Sequence, residues 1–148
     1  MAMMAAQKTF KSWAYTSSYT RRATVLAFSN ALFEIDTSLH WTRTLAILDL
    51  PDKKIDDGDK ETITHYIPLG VVVSIVPWNH PILLVCRKLA GAVLTGNTII
   101  VKPSPFTPAG DLKLCELAQQ FCPPGVLQCL SGDYNLGLGL PNTLFLRR

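Results

Sequence analysis

Charge is scarce in this chain of 148 residues. Asp, Glu, Lys and Arg make up 17% of it, against roughly a quarter in an average soluble domain. Fourteen basic and 11 acidic residues leave a formal net charge of +3. No basic run exceeds two residues (Arg21-Arg22, Lys53-Lys54, Arg87-Lys88, Arg147-Arg148), so there is no phosphate-tracking stripe and nucleic acid is excluded as a partner. Long apolar runs are missing too. The longest uncharged one, Pro68 to Trp78, is about half of the roughly 20 residues that span a bilayer, which excludes a membrane partner. Met1 to Ala6 has no basic leader and soon meets Lys8 and Lys11. No export signal is read there, and a cytoplasmic location is expected. The four cysteines form no C-x2-C pair and lie near no His at ligand spacing. The expectation is therefore no metal site, with the thiols serving as small core hydrophobes in a reducing compartment.

What is present bounds the class. A hydrophobic fraction of 48% excludes a disordered chain. Ten Pro and nine Gly without a period exclude a collagen-like one, and the length suits one domain. Charge is unevenly placed: residues 1–66 hold 8 basic and 8 acidic residues, residues 67–148 only 6 and 3. The second part is expected to be covered on several sides by other structure.

Periodicity gives the organisation. Phe10 and Trp13 suggest a short turn of helix. After the polar cluster Thr16 to Thr20, the residues Val25, Phe28, Ala31, Leu32 and Ile35 recur at helical spacing behind a Ser or Thr cap. Asp36 to Leu50 has weaker helical periodicity. The stretch PDKKIDDGDKET from Pro51 reads as a solvated polar loop, its acids out of register with a calcium-binding pattern. From Gly70 to Val76 a β-branched run without alternation predicts a strand buried on both faces. Pro81 to Thr95 is helical, with Gly96 at C′. Asn97 to Lys102 is a second buried strand. Thr107-Pro108 opens a helix with Leu112, Cys115, Ala118 and Phe121 or Cys122 on one stripe, and Val126 to Leu130 is a third strand.

Strand, helix, strand, helix, strand with short connections predicts an α/β fold with a parallel βαβαβ sheet preceded by N-terminal helices. Ligands of such sheets bind beyond the carboxyl ends of the strands, here residues 76–80, 102–106 and 131–135. Read on their own, Asn79 serves equally as the cap of the helix starting near Pro81, Lys102 as a strand-end surface lysine, Trp78 as core packing and His80 as a polar loop residue.

Four segments read in order carry a resemblance. They are I-P-L-G-V-V-V-S-I-V-P-W-N-H-P from Ile67 to Pro81, K-L-A-G-A-V-L-T-G-N-T-I-I-V-K-P-S from Lys88 to Ser104, F-T-P at Phe106 to Pro108, and P-P-G-V at Pro123 to Val126. Together they resemble the front of the coenzyme-binding domain of the aldehyde dehydrogenase family. Trp13 to Arg22 (W-x7-R-R) and Leu48 to Pro51 (L-D-L-P) add fainter likeness. An additional helical stretch that the family has between those two points is not found, and the pattern is lost from Leu136 onward. The resemblance implies a partial Rossmann-like sheet. It divides the chain into an N-terminal helical segment and loop (1–66), a partial dinucleotide-binding domain (67–135) and an irregular tail (136–148).

The resemblance also implies roles. Members of the family oxidise aldehydes to carboxylic acids with NAD+ or NADP+, through a Cys thiolate that adds to the carbonyl. Asn79 would donate its side-chain N–H to the oxyanion, an interaction worth about 10²- to 10³-fold in rate. Ile75, Val76, Pro77, Trp78 and Asn79 would line the coenzyme, and Lys102, Ser104 and Pro105 would lie at the adenine-side ribose. NAD-preferring members commonly have a Glu where Pro105 stands, and its absence leaves NADP open. The family's nucleophilic Cys and general-base Glu, each in a glycine-containing motif, do not occur among the 148 residues, and none of Cys86, Cys115, Cys122 and Cys129 sits in the nucleophile's setting. The expected partners are therefore the dinucleotide coenzyme and an aldehyde only in a complete enzyme; the alternative is a non-catalytic nucleotide-binding or interaction fragment that docks on a full-length homologue. The expected behaviour is inactivity alone, with an apolar sheet edge and face left exposed.

Overall fold

The computed structural model of the chain describes residues 1–34 and 51–144. Ile35 of the predicted helical stripe, the weak helical stretch Asp36 to Leu50 and most of L-D-L-P lie outside the described residues.

Two helices come first. α1 (Ala2–Trp13) is 12 residues long, longer than the short turn expected. Its apolar residues are mostly Ala and Met, so the stripe is faint, and what it buries is Ala6 and Trp13. α2 (Ser18–Phe33) starts as read: the Ser17 hydroxyl accepts from the Thr20 amide at 3.1 Å, and Val25, Phe28 and Leu32 are buried. The region read as a polar loop is instead an antiparallel hairpin, β1 (Lys53–Asp56) paired with β2 (Glu61–Thr64). Every residue of both strands is exposed, which is why no alternation marks it. The Asp56 and Asp57 carboxylates accept from the Gly58 and Lys60 amides, so two of the acids build the turn.

The parallel unit follows as predicted. β3 (Val71–Ile75), α3 (Pro81–Leu94), β4 (Thr98–Lys102), α4 (Pro108–Gln119) and β5 (Leu127–Cys129) form a three-stranded sheet in the order β3-β4-β5, both pairs parallel. β4 is buried along its whole length. Burying a residue such as Ile99, Ile100 or Val101 is worth about 1.5–3 kcal/mol. β3 is an outer strand and only partly buried, so the expectation of burial on both faces holds for β4 alone. α3 ends as expected: Gly96, at φ +79°, lets the Gly96 and Asn97 amides reach the Val93 and Ala92 carbonyls at 3.2 and 2.9 Å. α4 departs in two ways. Thr107 holds the cap position but makes no side-chain cap bond, and the buried stripe is Asp111, Leu114, Cys115 and Ala118 while Leu112 is exposed. A polar Asp111 hides that stripe from a reading by hydropathy.

α3 and α4 cover one face of the sheet, with α2 packed outside α3. α1 crosses all three strands on the other; there the buried Thr98 hydroxyl donates to the Ala6 carbonyl at 3.2 Å, and the Thr9 hydroxyl donates to the Pro124 carbonyl at 3.0 Å. The face expected to be bare is thus covered, and among the described residues no strand pairs with the outer edges of β3 and β5. The described part of the tail is not irregular either, since α5 (Tyr134–Leu144) forms one helix. The Asp133 carboxylate accepts from the Leu136 amide at 3.2 Å ahead of it.

Candidate functional site

The carboxyl ends of β3 and β4 lie side by side, with Ile75 in register with Lys102. The Val76 amide donates to the Lys102 carbonyl at 3.0 Å, which holds the start of the Val76 to His80 loop against β4. Val76 is buried, whereas Pro77, Trp78, Asn79 and His80 are exposed. Trp78, at 64% exposure, is therefore not core packing. His80 closes the turn at φ 52° as the N-cap of α3, with no side-chain cap bond, and Pro81 follows at N1. The cap position thus belongs to His80, and Asn79 projects from a loop rather than closing the helix. The carbonyl of Ile75 is held by Lys88, whose ammonium donates to it at 2.7 Å, a contact with no signal in the sequence.

Lys102 is no surface lysine. It is 4% exposed, on the same sheet face as Thr98, and a side chain at Gly137 of α5 would come within 3.8 Å of its Cε. Among the described residues no carboxylate is paired with it. Its Nζ is not one of the buried polar atoms left without a partner, so the stem is buried while the ammonium still reaches solvent at the rim, where a ligand could meet it. Ser104 is buried, and its hydroxyl accepts from the Phe106 amide at 3.2 Å, which leaves its proton free to donate. Pro105 and Phe106 are exposed. The structure therefore brings Ile75 to Asn79 next to Lys102 and Ser104 on one rim, with Asp133 and Asn135 at the third strand end. A ligand on this rim would meet one cation on a buried stem, one hydroxyl and the exposed loop Pro77 to His80.

A half-open cavity of about 420 Å³ lies away from this rim, at the amino ends of the strands, lined by Arg21, Tyr66, Pro68, Leu94 and Asn97 among others. Arg21 fills part of its wall: its guanidinium donates to the carbonyls of Leu94 at 2.9 Å, Thr16 at 2.7 Å and Ala14 at 3.4 Å. These lie at or just past the carboxyl ends of α3 and α1, where helix dipoles favour a cation. Arg21 is a clamp between elements, and an anion beside it would face the negative ends of two helices.

None of the thiols is set up as the missing nucleophile. Burial pushes the Cys86 thiol up to about 12 and Cys122 up to about 11, and the bond that Cys115 donates to Cys129, with burial, pushes Cys115 up as well. Only Cys129, receiving that bond, lies below its ordinary value. Among the described residues no group of three or more His, Cys, Asp or Glu could hold a metal ion, and no helix is long and apolar enough to cross a membrane.

Asp111 is a residue that sequence reasoning missed. It is fully buried in the first turn of α4, and neither carboxyl oxygen has a hydrogen-bond partner. Burial raises it from 3.8 to about 6. The folded chain therefore holds the proton more tightly than the unfolded one, so stability is greatest at low pH and falls as pH rises from about 4 to 6, then levels. A shift of that size is worth ~3 kcal/mol at most, which partial solvent screening reduces to about 1–2 kcal/mol. Asp111→Asn is expected to match the parent at pH 4 and to exceed it by that amount at pH 7.5. Thermal melts at the two pH values check this, and an equal difference at both would refute it.

With this geometry in view, the comparisons decide the family. The aldehyde dehydrogenase family model matches residues 34–138. The chain belongs to the aldehyde dehydrogenase family. An aldehyde dehydrogenase of a Fusarium species is 47% identical over 111 residues, which is 75% of this chain and 23% of that protein. Among solved structures, a salicylaldehyde dehydrogenase from Pseudomonas putida G7 superposes with a TM-score of 0.85 over 99% of this chain and 36% of its own, at 23% identity. A betaine aldehyde dehydrogenase variant from Staphylococcus aureus, in complex with NAD+, superposes with a TM-score of 0.79 over 90% of this chain and 33% of its own, at 26% identity. The chain thus spans about a quarter of the length of the curated relative and about a third of the solved ones.

Proposed function

We propose that the rim formed by Ile75 to Asn79, Lys102 and Ser104 is the coenzyme-facing part of an NAD(P)+-dependent aldehyde oxidation site. When bound there, the coenzyme supplies a hydride acceptor. The chain's own residues bind and orient it: the backbone of Ile75 to Trp78 runs along it, the Lys102 ammonium and the Ser104 hydroxyl donate to ribose hydroxyls, and Pro105 places no carboxylate where a 2′-phosphate would sit. The side-chain amide of Asn79 donates to the carbonyl oxygen of an aldehyde under attack. The observation that supports this reading is Lys102, its stem buried and no carboxylate paired with it among the described residues, in register with Ile75 just before the loop that carries Asn79. The attacking thiolate and the general base must come from elsewhere, and the location proposed is the cytosol. A second reading, docking on a full-length homologue without catalysis, is favoured by the open edges of β3 and β5.

Calorimetric titration of the chain with NAD+ and with NADP+ tests the site. Saturable binding is expected, and Lys102→Ala, which removes charge-assisted donors, is expected to weaken it about 10- to 100-fold. A flat trace with both coenzymes, from a chain shown to be folded by its melt, would overturn the assignment.

A further inference from the structure

α5 packs beside β3, at the rim that carries Lys102. Burial marks its inner side: Leu136 and Gly137 are half-buried and Leu140 is buried, at helical spacing, while Tyr134, Leu138 and Gly139 are exposed. Gly137 is the position that meets Lys102. A Cβ added there would stand 3.8 Å from the Lys102 Cε, an ordinary van der Waals contact, and would meet nothing else within 4 Å. The last carbon before the ammonium thus runs under a helix position that carries no side chain. Glycine weakens a helix interior, and Gly137 is not among the glycines in the left-handed region, so the backbone does not demand it.

We propose that Gly137 keeps the Lys102 ammonium reachable, so that α5 is a second wall of the coenzyme cleft and residue 137 sets its clearance. Lys102 is 4% exposed, which confines a ligand to the small part of the ammonium left open at the rim. A branched side chain at 137 starts in contact with Cε and extends over the atoms around it, Nζ among them. An alanine ends at that first contact. Gly137 is therefore a positioning residue that acts through Lys102. Which ligand arrives rests on the coenzyme reading above; whether the ammonium can be reached does not.

Access is measured without any coenzyme. The full chain is acylated with a low dose of the N-hydroxysuccinimide ester of acetic acid, and mass spectrometry of the digest gives the rate at Lys102 relative to the exposed Lys60. Gly137→Leu is expected to slow Lys102 about tenfold, because acylation then waits on local opening, and Gly137→Ala to keep it within about twofold of the parent. Gly139→Leu is the control and is expected to leave the rate unchanged, since a Cβ there meets nothing within 4 Å. Each variant is expected to melt no lower than the parent, Ala and Leu being better helix formers than Gly. Should Gly137→Leu melt low, Gly137→Met takes its place, its flexible stem adapting to the same space. Titration with NAD+ and NADP+ is expected to weaken about 10- to 100-fold in Gly137→Leu and in neither of the other two. A slowed Lys102 in that variant, with neither coenzyme bound by the parent, keeps the clearance role and discards the coenzyme. Acylation at the parent rate in the large variants overturns the clearance role, whatever the coenzymes do.

Discussion

Purified chain mixed with propanal and NAD+ or NADP+ is expected to give no rise in absorbance at the reduced-coenzyme wavelength. The argument is chemical. Asn79 has an oxyanion to stabilise only after a thiolate has added to the carbonyl, and the thiols of Cys86, Cys115 and Cys122 are all pushed up. Cys129 ends a strand behind α4 and is engaged with Cys115. Loss of a nucleophile from an assembled site costs about 10⁶-fold, which puts turnover below detection even if coenzyme binds. Turnover that persists through repurification and disappears in Asn79→Ala would refute this and promote one of the four cysteines.

The second large effect concerns Arg21. Its guanidinium ties the segment after α1 to the end of α3 through the carbonyls of Ala14, Thr16 and Leu94. It also packs over Gly96, where an added Cβ would stand 3.1 Å from its Nη1. Arg21→Met keeps the stem and removes all three bonds, leaving part-buried carbonyls unpaired. A loss of about 3 kcal/mol is expected, since bonds from charged donors contribute about 1.5–3 kcal/mol each and partial exposure reduces their sum. In urea unfolding this appears as a lower midpoint at an unchanged slope. Arg21→Lys, with a single ammonium that cannot fork to three acceptors, is expected to recover less than half. A midpoint within error of the parent would show that the carbonyls find water instead.

How far the sequence was readable depended on which physical signal each element leaves. β4, α3 and α2 announce themselves, because runs such as Thr98 to Lys102 and the stripe Val25, Phe28, Leu32 bury what they display. Gly96 and Pro81 mark their helix ends through backbone geometry, which is local. The hairpin left no such trace, being exposed on every residue, and α1 hides a burying face among alanines and methionines. The candidate rim was legible as an ordered series around Asn79 and Lys102, but the burial of Lys102 and the cap role of His80 were not. Both depend on what α5 and α3 do in space. Asp111 and Arg21 were invisible for the same reason: a carboxylate in a core stripe and one arginine of a pair look like surface residues until their neighbours are in place.

The path of α1 sets a timing problem for the ribosome. α1 is made before the strands it docks on and is bonded to Thr98 and Pro124, so its docking surface does not exist until roughly a hundred further residues have been made. At about 5–20 residues per second that is a delay of about 5–20 s. During that time Trp13 and the apolar side of α1 stand uncovered, a natural hold point for a chaperone.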